Sequence, residues 1–84
     1  MTSSPKTQAN ISGWAIRVRG TVQGVGFRPT VFKLANEYGI AGSVLNDGDG
    51  VLIEAFAARS ALADFVTAIE LNSPPLAHIE EISH

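Results

Sequence analysis

Two glycines one residue apart, then an arginine and a proline, close the stretch "TVQGVGFRP" at residues 21–29, and "NDGDG" follows at residues 46–50. Gly24 and Gly26 permit positive φ and carry no Cβ, so the backbone can curl into a nest whose N–H groups converge on one point. Arg28 stands where such a nest would meet a helix, and a guanidinium there can fork onto two oxygens of a phosphoryl group. Taken alone, the same residues also suit a tight turn with a solvated charge. Asn46 adds a different capacity, since a carboxamide holds a water by donating and accepting at once. A cradled phosphoryl group and a placed water are what phosphoryl transfer to water requires. Two other glycine patterns fail: G-x-G-x-x-G would need glycine where Pro29 stands, and a nucleoside-triphosphate loop would need a Gly-Lys-Ser/Thr run that is absent.

The elements that position these residues follow from periodicity. "WAIRVRGTV" alternates from Trp14 to Val22, with Trp14, Ile16 and Val18 on one side and Arg17 and Arg19 on the other, which predicts a half-buried strand. Pro29 suits a first helical position, and Val31, Leu34, Ala35 and Tyr38 continue at helical spacing to a stop at Gly39. "GSVLN" (42–46) and "VLIEAF" (51–56) flank "DGDG" as a hairpin. Ser60 is a candidate cap for a second helix carrying Leu62, Phe65, Val66 and Ile69, which ends before Asn72 and Pro74-Pro75. "AHIEEI" (77–82) completes the set as a fourth strand. The order βαββαβ implies an α+β, ferredoxin-like α/β sandwich, with two helices on one face of an antiparallel sheet. Strands one and two then run parallel, and a helix of about 15 Å is matched by a returning strand of similar length. Asn46 is thereby expected beside the glycine loop.

Bulk properties narrow the function. With 84 residues, 45% hydrophobic and 17% charged, the chain makes one small domain, and a net charge of −2 with six scattered basic residues argues against nucleic acid or an anionic membrane as partner. No cysteine is present, so thiolate metal sites and a cysteine nucleophile drop out. The polar opening "MTSSPKTQANIS" reads as a flexible tail over residues 1–12, ahead of a domain over 13–84. It has no signal-peptide run, and a cytoplasmic location is expected.

At this point "GTVQGVGFR", followed eighteen positions after its arginine by "NDGDGV" with "YGIAGSV" between, resembles the acylphosphatase family over residues 14–82. The resemblance implies hydrolysis of acyl phosphates to a carboxylate and phosphate, with inorganic phosphate or sulfate as product mimic and with no metal or cofactor. It implies that Arg28 binds phosphate, that the amides of Gln23, Gly24, Val25, Gly26, Phe27 and Arg28 form the cradle, and that Asn46 orients water. "GFRPTVFKLA", "NDGDGV" and "PPLAHIEEI" are more similar to the amino-terminal acylphosphatase-like domain of hydrogenase-maturation carbamoyltransferases, which use carbamoyl phosphate. The chain would then be a monomer or a module of a longer chain. Ala57-Ala58 stands where free-standing members have a glycine, and the sequence stops short of their fifth strand, which would leave strand two on an exposed, association-prone edge.

Other candidates read as structural. His78 and His84 have no second ligand at useful spacing. Asp47 and Asp49 lack the glutamate that completes a calcium loop and are expected to shape the hairpin. Glu70, Glu80 and Glu81 are expected on the surface, and Trp14, Phe27, Phe32 and Phe65 in the core. An RNA-binding sheet would need paired exposed aromatics. Two readings stay open: a hydrolase, and a module that only binds phosphate or carbamoyl phosphate.

Overall fold

A computed structural model describes residues 11–84. It contains β1 (Ile11–Thr21), α1 (Phe27–Tyr38), β2 (Ala41–Asp47), β3 (Gly50–Ala58), α2 (Arg59–Leu71) and β4 (His78–Ser83). The four strands form one antiparallel sheet in the order β2-β3-β1-β4. This is the ferredoxin-like sandwich expected from the periodicity. Residues 1–10 of the expected tail lie outside the described residues, while Ile11 and Ser12 already stand in β1, paired with Ala58 and Ala57.

Alternation decides which face the helices cover. Ile16 and Val18 of β1 and Val51, Ile53, Ala55 and Ala57 of β3 are buried, and Val31 and Leu34 of α1 and Leu62, Phe65, Ala68 and Ile69 of α2 close over them. Trp14 packs against the edge of this core and stacks on His84, ring centroids 4.0 Å apart and planes 4° from parallel. Arg17, Arg19, Leu52, Glu54 and Phe56 alternate onto the uncovered face. β2 lies at an edge, and Val44 is its only partly buried residue.

Three sequence expectations are corrected. First, α1 begins at Phe27, so Pro29 is its third residue; the missing N–H still costs nothing, because no N–H of the first turn has an intrahelical acceptor. Second, Ser60 caps nothing: β3 runs directly into α2, Ala58 takes the cap position, and Ser60 is already helical. Third, Phe32 is 54% exposed. One residue beyond Val31, it is rotated about 100° from the buried stripe and lines a groove against β2 together with Val44 and Glu54. The stop at Gly39 holds: with φ 69° and ψ 36° it is left-handed, and the Ile40 N–H reaches back to the Ala35 carbonyl at 2.8 Å in a Schellman closure.

β1 and β2 are each antiparallel to β3 and therefore parallel to one another, with β3 between them. Their carboxyl ends share one pole of the sheet, where the chemistry-bearing residues gather.

Candidate active site

The loop from Val22 to Gly26 joins β1 to α1. Val22 is buried and anchors its start, and Phe27, equally buried, anchors its end as the first helical residue. Between them Gly24 (φ 75°) and Gly26 (φ 83°, ψ 13°) are left-handed, and no atom lies within 4 Å of where a Cβ would stand at either. Open space is not the constraint there; the positive φ is, and a side chain would strain it. The Thr30 hydroxyl donates to the Gly26 carbonyl at 3.1 Å and pins the loop to the first helical turn.

Arg28 is the second residue of α1, exposed, at a helix start whose first turn carries no acidic residue. The positive end of the helix is therefore uncompensated locally. The ion pairs among the described residues, Arg17–Asp47 and Arg19–Glu81, do not involve Arg28.

Asn46 arrives from β2. It pairs with Val51, which pairs with Val18, and both valines are fully buried, so by alternation Asn46 sits on the helix-covered face. Val22, Gly24, Gly26, Phe27, Arg28 and Pro29 line one side of a cleft of about 180 Å³, and Asn46 completes it. The predicted residues thus come together, except that Gln23 and Val25 do not line the cleft. Val25 packs against the core. The Gln23 side chain turns instead to the β2–β3 hairpin, donating to the carbonyls of Asp47 at 3.1 Å and Gly50 at 3.2 Å.

The hairpin is held from the uncovered face as well. Asp47 Oδ1 accepts from Arg17 Nη1 at 2.6 Å and from the Asp49 N–H at 2.9 Å. The second contact is the turn role expected of Asp47; the first went unanticipated, because Arg17 read only as the polar side of an alternating strand. The signal was opposite charge on the same face two strands apart, visible only once register is known.

The Arg17 hydrogen bond, and after it the Asp49 N–H, holds the Asp47 carboxyl below an aspartate's ordinary 3.8, against the opposing effect of desolvation. A pKa depressed on folding adds stability that is fully present above the unfolded value and disappears as pH falls through the folded one. Asp47→Asn, which keeps the turn acceptor but loses the charge, is expected to be less stable than wild type at neutral pH, with the gap closing below 3.8. Urea midpoints measured from pH 7 down to pH 3 check this; a gap independent of pH would mean that the ion pair contributes nothing.

Known proteins share this fold and sequence. The acylphosphatase family model matches residues 14–84. Carbamoyltransferase HypF2 of Cupriavidus necator is 55% identical over 67 residues, which cover 80% of this chain and 8% of that protein. The chain therefore spans less than a tenth of that relative. A crystal structure of full-length HypF in the phosphate- and nucleotide-bound form superposes with a TM-score of 0.83 at 40% identity, over 87% of this chain and 10% of the other. The acylphosphatase of Bacillus subtilis superposes with a TM-score of 0.79 at 40% identity, over 87% of this chain and 80% of the other. A βαββαβ sandwich with a glycine-arginine loop facing an asparagine, matched along nearly the whole described chain, belongs to the acylphosphatase family.

Proposed function

We propose that the chain hydrolyses acyl phosphates at Arg28 and Asn46. One observation carries the assignment: Arg28, at an uncompensated helix start, and Asn46, from β2, line the same cleft. The guanidinium and the amides of residues 23–28 take the equatorial phosphoryl oxygens and stabilise the charge that builds there. Asn46 holds a water in line with the bond to the acyl oxygen. The water oxygen bonds to phosphorus, the phosphorus–oxygen bond to the acyl group breaks with its electron pair, and a phosphoryl oxygen takes the water's proton. The products are a carboxylate, or carbamate from carbamoyl phosphate, and inorganic phosphate. An acyl leaving group departs readily, so no stronger base is required.

The likeness to HypF proteins supports a second part of the reading: the chain acts as the amino-terminal module of a longer, cytoplasmic carbamoyltransferase in hydrogenase maturation, with carbamoyl phosphate as substrate. No helix among the described residues is long and apolar enough to cross a membrane. Inorganic phosphate and sulfate should bind as product mimics. The test is release of benzoate and phosphate from benzoyl phosphate in equal amounts, at a kcat of roughly 1–10³ s⁻¹. Phosphate binding by the folded protein without turnover would replace this reading with that of a binding module.

A further inference from the structure

The cradle follows β1 and Asn46 lies on β2, two strands that do not touch. β3 separates β1 from β2, and two strand spacings amount to about 10 Å. The β1–β3 ladder ends at Val18↔Val51, while β1 runs on to Thr21 paired with β4 alone, where the unpaired Glu80 of β4 makes a bulge opposite Arg19/Gly20. Backbone pairing thus stops one residue short of Gly50, where the hairpin closes, and main-chain hydrogen bonding does not tie the loop to the turn.

The Gln23 carboxamide spans that gap. Its two N–H protons go to the two carbonyls of the pair that closes the hairpin, Asp47 and Gly50, and Asp47 directly follows Asn46. Arg17 also holds Asp47, but from within β1 and on the far face, so it steadies the turn without reaching the loop. Gly50 allows the close seat: at φ 115°, a Cβ there would fall 2.3 Å from the Val18 carbonyl oxygen. Two carbonyl acceptors call for a neutral side chain with two donors at the reach of glutamine. Glutamate would set carboxylate oxygens against them, and asparagine is one methylene short.

We propose that Gln23 is a positioning residue whose side chain locks the phosphate loop to the Asn46 turn, fixing the attacking water relative to the held phosphoryl group. The proposal rests on the hydrolytic reading of the same site. The side chain couples loop to turn and does not contact phosphate, and the backbone amide persists in any variant, so kcat should respond and phosphate affinity should not.

Gln23 is exposed, which allows substitution without loss of the fold. Gln23→Met, close in length and without donors, is expected to lower kcat for benzoyl phosphate by about 10- to 100-fold while the Kd for inorganic phosphate stays within about threefold, and Gln23→Glu should lose more. In an Asn46→Ala background the Gln23→Met loss should vanish, since no placed water remains to misplace. An equal loss in both backgrounds, or an unchanged kcat, overturns the proposal and leaves the hydrolytic reading standing. If folded wild type turns nothing over, that reading fails separately, and the coupling is read by NMR: inorganic phosphate should shift the Asn46 side-chain amide in wild type but not in Gln23→Met, and equal shifts in both overturn it.

Discussion

Arg28→Ala is expected to lower kcat/KM for benzoyl phosphate by about 10³-fold or more, the scale on which an arginine facing a transferring phosphoryl group acts. The loss exceeds that of binding alone. A charge-assisted hydrogen-bond pair of about 1.5–3 kcal/mol converts to a roughly 10- to 100-fold weaker Kd for inorganic phosphate, and the remainder appears in kcat because charge on the equatorial oxygens is greatest in the transition state. The loop amides persist in the variant, so residual phosphate affinity should remain. Arg28→Lys returns the charge without the planar fork and should recover less than about a tenth of wild-type activity. Steady-state assays with phosphate titrations check both. An alanine variant retaining more than about a tenth of kcat/KM would place the phosphoryl group elsewhere.

Asn46→Ala is expected to behave differently, with kcat down by about 10²–10³-fold and the phosphate Kd moving less than about threefold, as for a group that acts on the attacker. The cleft geometry is the reason: Asn46 enters from β2, while the oxygen-binding groups enter from the loop and α1. Asn46→Asp keeps the shape but brings negative charge beside a dianion, so it should also weaken phosphate binding. If Asn46→Ala loses phosphate affinity in step with kcat, the carboxamide is a phosphate ligand and the water needs another holder.

The parts of the site legible in the sequence are those that depend on local chain chemistry. Gly24 and Gly26 announce positive φ by residue type, Arg28 follows them at a fixed spacing, and the length of α1 matched against β2 brings Asn46 to the same pole. Arg17–Asp47 and Gln23 with Asp47 and Gly50 were not legible, because each joins residues 24 to 30 positions apart across strands whose register no local pattern encodes. The same limit explains Phe32 and Ser60. An aromatic beside a helical stripe and a serine near a helix start are placed by one-residue differences, set by where Gly26 and Ala58 begin the helices.

The chain's single tryptophan lies seven residues before the end of β1, roughly 23 Å along the strand from the pole that carries the glycine loop. Because its indole is stacked on the imidazole of His84, the residue after β4, its emission is an optical gauge of whether the sheet is zipped shut at the far end. A variant that loses turnover yet keeps that fluorescence is chemically disabled rather than unravelled, so every sample carries its own internal standard for integrity.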